Sequence, residues 1–430
     1  MQIVRTLAQL TAAASLAALP TLANAQDFVG AVYAMTNDFN ANTVAAYGRA
    51  DDGTLTPIGE FATGGQGAAF DGGEGLDPLI SAYALLLTDD NRFLLAANAG
   101  SNTLTAFKVE EDFSLTRTDE ARVFGAGINS VAYSDGLVYV SIIDADGVFD
   151  GEPDQEGALV GFELTDRGRL VRVERSARLL GNRPSAVRFS PDGEFLVVSS
   201  INAGSNALAS GSVDEIVSYR VQRNGRLAPI ATGRATSTLP NNREGRNLPS
   251  AIGFEIVAAD SGQYVVVTEA REFSPEGNPP AFPALQTGSV STWRLNDNGT
   301  FAPISLDVLA GNDFFDGELT TCWIEFNNDA SAFWVSNAIP ASLSAYSFNN
   351  GEISLVDVES ARGTPGTNDD PFGTTDGWID LDSSADGRYV YQLYGLDGTI
   401  GVYAVNGTDL TLIQEVSDLP EVNTQGIVAF

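Results

Sequence analysis

The sequence predicts an all-β fold: a seven-bladed β-propeller of four-stranded antiparallel blades, with the ring closed by the C-terminal strand pairing into the first blade. Three observations carry this. A hairpin phrase recurs seven times, a second strand pair precedes most of its copies, and the first copy lacks an inner strand that the last residues of the chain can supply.

The hairpin phrase is an apolar alternation ending on an aromatic, a Gly/Asn/Asp turn and a second apolar start. NTLTAFKVEEDFSLTRT, DEIVSYRVQRNGRLAPI and GSVSTWRLNDNGTFAPI are typical, and the aromatics are Tyr47, Phe107, Phe162, Tyr219, Trp293, Tyr346 and Tyr403. Period-two alternation argues half-buried strands, and DG, RG or NG between them supplies a tight reversal. Upstream lies a second pair, clearest in PSAVRFSPDGEFLVVSS, with turns at Asn91, Gly136, Gly193, Gly262, Ala330 and Gly387. Each unit is therefore four strands, a to d, which is the size of a propeller blade; no 3.6 period of a helical solenoid is present. The first hairpin, VYAMT with TVAAYG and LTPIGEF, has no strand a, and GIVAF at residues 426–430 matches it. An open array would leave two unpaired sheet edges, so closure is expected.

Residues 1–25 read as an export signal: a basic Arg5, a short Ala-rich apolar run and the small-residue pattern Ala23-Asn24-Ala25. The run is too short for a convincing membrane span. Residues 26–430 are expected to form the single propeller domain of a secreted or periplasmic protein. Cys322 is the only cysteine, so no intramolecular disulfide is available and a large core must supply stability.

Composition restricts the chemistry. Basic residues number 23 against 56 acidic ones, a net charge of −33, which disfavours nucleic acid and anionic membranes as partners. Lys108 is the only lysine and occupies a solvent-facing slot of a repeated hairpin, arguing against Schiff-base chemistry. Histidine is absent. That removes Ser-His-Asp and Cys-His triads, His-ligated zinc and an imidazole base, leaving carboxylates, arginines, hydroxyls and backbone.

In a four-stranded meander the a–b and c–d turns share one face of the ring, and the b–c and d–a connections share the other. The first class is short and regular, whereas the second carries the long irregular segments, so function is expected on the second face. There the arginines Arg183, Arg243, Arg246 and Arg271 gather in sequence with Glu269, at the end of YVVVTE. Guanidinium forks suit an anionic group, and a carboxylate beside them can act as the proton-transfer group; the same residues could equally fix loops by pairing with local acids. Asparagines follow strand b at Asn37, Asn98 and Asn337. They can hydrogen-bond a ligand, although closing an Asx turn is the commoner role. DADGVFDGEPDQEG, residues 144–157, departs from the spacing of an EF-type loop, leaving irregular Ca2+ binding through Asp144, Asp146 and Asp150 against a solvated acidic loop. GGQGAAFDGGEG, residues 64–75, opens no helix, so a loop near the channel is preferred to a phosphate cradle.

SAVRFSPDGEFLVVS, SYRVQRNGRL, the glycine-rich first connection and TCWIEF together make nearly all of residues 28–430 resemble the secreted branch of the lactonase-type seven-bladed propellers, a family that includes 6-phosphogluconolactonases and carboxymuconate cyclases. The resemblance implies hydrolysis of a sugar lactone, or closure of a muconate to its lactone, on the loop face around the channel. The cyclase branch uses a histidine with arginines and a glutamate. Where relatives carry a His-Pro or Pro-His pair this chain has Arg183-Pro184, so the elements that carry over are Arg183, Arg243, Arg246 and Glu269. The expectation is a cofactor-free, monomeric, lactonase-like hydrolase acting on a small sugar-derived or carboxylated lactone. Glu269 and Arg271 would be catalytic, with Arg183, Arg243, Arg246 and Asn98 binding substrate. The alternatives are a non-catalytic propeller binding a glycan or protein partner, and a His-free polysaccharide lyase.

Overall fold

A computed structural model describes residues 28–69, 77–145, 156–201, 214–236, 246–273, 286–363, 377–421 and 423–430, arranged in seven antiparallel sheets. The signal-like segment, Arg243, Asp146 and Asp150 lie outside the described residues. Blade 1 comprises Gly30–Met35, Thr43–Arg49 and Leu55–Ala62, with the C-terminal strand Ile427–Ala429 as its strand a. The junction is antiparallel, Val32 opposite Ala429 and Ala34 opposite Ile427, and the sheet edge left by the missing inner strand is thereby paired.

The inner strands a of blades 2 to 7 are Leu85–Leu87, Ala126–Ser134, Arg183–Phe189, Leu248–Ala259, Leu319–Phe326 and Trp378–Ser383. Each touches the next, and the last touches the C-terminal strand, which touches that of blade 2, so the ring is continuous. Strand d is broken in two in blade 3 (Leu170–Arg172, Arg178–Leu179) and in blade 5 (Phe301–Pro303, Val308–Leu309).

Burial across a blade explains the sequence pattern. Strand b is covered on both faces by neighbouring blades, and Phe93–Asn98 and Ala332–Ile339 are buried throughout. They accordingly read as near-continuous apolar runs. The outermost strand of blade 7, Asp409–Ser417, is mostly exposed and carries polar residues between its apolar ones. All seven strand-c aromatics are buried, Tyr219 being the most open at 5%. The six a–b turn residues all have positive φ, which explains their Gly and Asn content; Ala330, at φ 53°, is the exception that pays strain.

The connection from blade 1 to blade 2 blocks the channel. Ser81 Oγ donates to Asn129 O in blade 3 at 2.8 Å, and Ala82 N donates to Ser185 O in blade 4 at 3.2 Å. The Tyr83 hydroxyl reaches Phe254 O in blade 5 at 2.8 Å, while Ser81 O accepts from Trp323 Nε1 of blade 6 at 3.1 Å and Gln425 Nε2 beside the closing strand at 2.7 Å. A segment bonded to so many blades must lie across the axis. Ile80 and Tyr83 have φ of 50° and 68°, so this plug is held in a strained backbone that its surroundings impose. The described glycines before it serve close approach: a Cβ on Gly67 would lie 2.0 Å from Asn37 O.

Candidate functional site

Two groups of ionisable side chains stand out, one on the loop face of blade 5 and one in the channel below the plug. In blade 5 the structure brings Glu269, Arg271 and Arg246 together. Glu269 and Arg271 project from the end of strand b (Gly262–Phe273), Ser289 faces Glu269 from strand c (Gln286–Leu295), and Asp307 precedes the second piece of strand d. Arg271 Nη2 donates to Glu269 Oε2 at 2.8 Å and to Asp307 Oδ1 at 3.0 Å. Arg246 donates to the same carboxylate from Nη2 at 2.9 Å and Nε at 3.3 Å, and its guanidinium lies 4.7 Å from the Phe314 ring centre. Arg271 Nη1 donates to Asn247 O at 2.9 Å. Glu269, Arg271 and Arg246 are each 0% exposed. Burial raises the pKa of Glu269, and Arg271 with the hydroxyls of Ser289 and Ser291 opposes the rise.

The repeat supplies the meaning of this group. Asn98 Nδ2 donates to Thr103 Oγ1 at 3.1 Å and Thr105 Oγ1 at 2.9 Å; Asn337 Nδ2 donates to Ser342 Oγ at 3.1 Å and Ser344 Oγ at 2.8 Å. In register, Asn98 faces Thr103, Asn337 faces Ser342 and Glu269 faces Ser289. Glu269 thus occupies the place of the asparagines, clasping strand b to two hydroxyls of strand c, Ser289 and Ser291. Asn98 is engaged in its clasp and accepts from Asn42 Nδ2 at 2.9 Å, so its polar atoms bind the blade. Arg183 stands at the start of strand a of blade 4 and is 5% exposed. Asp144 ends strand b of blade 3 at 4% exposure, and among the described residues no group of three or more acidic or sulfur side chains is placed to hold a metal.

The channel group was not anticipated from the sequence. Below the plug lies a cavity of about 230 Å3 lined by Tyr83, Asp89, Arg188, Trp323, Glu325 and Asp382, among others. Arg188, Glu325 and Asp382 stand next to the a–b ends of their strands a, Tyr83 belongs to the plug, and the lining includes Asp89 and Asn91 of the blade 2 turn. The cavity therefore faces the short-turn side of the ring, opposite to the side where long loops pointed. Arg188 forms an ion pair with Glu255 and lies 3.8 Å above the Tyr83 ring. The Arg188 Nε–H finds no acceptor among the described residues. Asp380 accepts from Gly426 N and Asp382 from Ala429 N, each at 2.8 Å, so the carboxylates of blade 7 also anchor the closing strand. Ser383 Oγ donates to Glu325 Oε1 at 2.5 Å.

Among the described residues five carboxyls, Asp89, Glu255, Glu325, Asp380 and Asp382, here surround one guanidinium. Burial pushes the pKa of Glu325 well above the usual range, and the neighbouring Asp382 charge adds to it. Burial likewise raises Asp382 to about 7, against its bonds from Ala429 N and Ser383 N. Asp380 is raised by burial and by Asp77. Burial and mutual repulsion oppose ionising both carboxyls at once, which makes one the better acceptor and the other the better donor of a proton. Strand periodicity could not have found them, because Glu255, Glu325 and Asp382 sit at ordinary positions of ordinary strands; the only signal was an acidic residue late in strand a in three consecutive blades.

No family model and no curated protein sequence matches the chain. Solved structures do. A candidate 6-phosphogluconolactonase of Bacteroides fragilis superposes with a TM-score of 0.59 at 14% identity, covering 92% of this chain and 97% of its own. The periplasmic gluconolactonase PpgL of Pseudomonas aeruginosa gives 0.53 at 16% identity, over 76% of this chain and 82% of that one. A hypothetical selenium-binding protein of Sulfolobus tokodaii gives 0.59 at 14%, over 93% of each. At such identities the likeness establishes the fold, which these proteins share under different names.

Proposed function

We propose that the chain is a lactonase-like hydrolase that opens a neutral, sugar-derived lactone in the channel cavity. The observation that carries this reading is that Glu325, Asp382 and Arg188 line one cavity, both carboxyls being buried and thereby raised in pKa, with the Arg188 Nε–H lacking an acceptor among the described residues. The ionised member of the pair takes a proton from water as its oxygen attacks the lactone carbonyl carbon. Arg188, in the same lining, faces the developing oxyanion with its positive charge, while the Tyr83 hydroxyl, which donates to Phe254 O, holds the ring beneath the guanidinium. Collapse breaks the bond between that carbon and the ring oxygen, and the protonated carboxyl delivers its proton to the departing oxygen. Water and lactone become a hydroxy acid. The product is an anion among carboxylates, which favours its release.

The excess of acids also selects the substrate. A phosphorylated or carboxylated lactone would have to enter against Glu255, Glu325, Asp380 and Asp382, with a single arginine already paired. The cavity is smaller than the ~300–1,000 Å3 of drug-sized sites, a scale suited to one ring. Several lactonase-type neighbours support the reading by fold analogy only, and the export signal is compatible with an extracytoplasmic sugar lactone. The test is a pH-stat assay of the mature protein on glucono-1,5-lactone, 6-phosphogluconolactone and a muconolactone. Turnover of the neutral lactone that falls at least a hundredfold in Glu325→Gln is expected; turnover restricted to anionic lactones, or intact in Glu325→Gln, overturns the assignment.

A further inference from the structure

A second and larger cavity, of about 810 Å3, lies on the short-turn face among blades 2, 3 and 4. Its walls are turns of the repeat: Asp90 and Arg92 from blade 2, Asp135 and Asp166 from blade 3, Arg223 and Asn224 from blade 4. It adjoins the channel cavity. The blade 2 turn separates them, presenting Asp89 and Asn91 to the channel and Asp90 and Arg92 to the groove. Asp89 feels both sides, the Arg188 charge from the channel and those of Asp90 and Asp135 from the groove.

The groove is polar without suiting an anion or demanding a cation. Arg92 is occupied, with Nη1 3.5 Å from Asp90 Oδ2 and Nη2 donating to Asp166 O at 3.1 Å. Arg223 and Asn224 are exposed donors supplied by blade 4, and Asp135 and Glu163 are acceptors supplied by blade 3. Tyr133 is half-buried at the inner wall, an aromatic body with a polar tip. Carboxylates, guanidinium and amide lining one trough, with a tyrosine ring beside them, complement a chain of hydroxyls that both donate and accept and that carries apolar C–H faces.

We propose that this groove binds the glycosidic extension of the substrate, so that the preferred lactone is that of a neutral oligosaccharide, its lactone ring in the channel and its further sugar units in the groove. The proposal rests on the lactonase reading and adds the substrate class. Tyr133, Asp135 and Arg223 are its binding residues, with no part in the chemistry.

The experiment compares glucono-1,5-lactone with cellobionolactone and maltobionolactone in initial-rate assays, and titrates the unreactive alditols cellobiitol and maltitol calorimetrically. At least one disaccharide lactone is expected to show a KM about tenfold below that of the monosaccharide lactone. Asp135→Asn, which keeps a residue tolerant of φ 46°, and Arg223→Ala should each erode that advantage while leaving monosaccharide turnover unchanged. Tyr133→Ala should abolish alditol binding. Equal kcat/KM for one- and two-ring lactones, or an advantage that survives all three variants, overturns the groove and leaves the channel reading intact. Alditol binding that is lost in Tyr133→Ala, with no turnover of any lactone, upholds the groove and overturns the channel chemistry. Preferential binding of spermine over either alditol overturns the proposal in favour of a cation groove.

Discussion

The clasp of blade 5 and the channel group are built from the same residue types and differ in charge balance. In the clasp, among the described residues, two guanidiniums face two carboxylates, Arg246 and Arg271 against Glu269 and Asp307, all buried. In the channel, among the described residues, one guanidinium faces five carboxyls, and burial disfavours ionising all of them together. Charges matched within a buried network are held in place by their partners. An unbalanced network raises the proton affinity of its carboxyls beside a cavity, which is what acid–base chemistry needs. Proximity of Arg and Glu along a sequence therefore says little about reactivity until the count of opposing charges around each is known.

The comparison can be broken most directly at Glu325. Glu325→Gln is expected to lower kcat on a neutral lactone by about 10²–10⁴-fold with the circular dichroism spectrum unchanged. Arg188→Met comes next: loss of an oxyanion donor costs about 10²–10³ in kcat. Arg188 also lowers the pKa of Asp382, so its removal should move the acidic limb of the pH–rate profile to higher pH. In the clasp the effect should fall on stability. Glu269→Gln leaves buried Arg271 short of a counter-charge and should cost about 3–5 kcal/mol in denaturant unfolding, with kcat retained. A Glu269→Gln protein of native stability and no turnover would invert the assignment of the two regions.

A smaller effect concerns pH. Burial raises to about 7 both Asp382 and Glu318, the buried residue just before strand a of blade 6 that accepts from Asn337 Nδ2 at 3.2 Å, so the folded chain holds protons that the unfolded chain has released. Stability should be greatest below the ordinary carboxyl range, decline as pH rises from there to about 7, and level off beyond. Glu318→Gln should flatten that slope, read from urea midpoints across pH 4 to 8. The least change is expected at Asn98→Ala, about 1–3 kcal/mol for a buried clasp left unsatisfied, with no change in KM.

The repeat was legible because packing demands it in every blade: the strand-c aromatics, the positive-φ turns and the strand supplied by residues 426–430 all fall where the sequence placed them. Part of the loop-face group was legible as well, since Glu269, Arg271 and Arg246 do converge. The sequence left two readings of them open, an anion site and a set of ion pairs that fix the loops. That Glu269 stands where Asn98 and Asn337 stand depends on cross-strand register, and irregular b–c loops conceal register in a linear reading.

The sequence by itself determined the blade count, the order of strands, the closing strand and the exclusion of imidazole chemistry, because these follow from local alternation, turn residues and composition. Tertiary structure alone decided which end of the channel is open and which carboxyls meet there. Strand a contributes one or two channel-facing residues per blade, and the environment of Glu325 is made by Asp382, Glu255 and Arg188 from three other blades. The plug at residues 79–83 closes the opposite end through bonds to partners as distant as Trp323 and Gln425. Burial and charge balance are sums over such distant neighbours, and no window along the chain contains them.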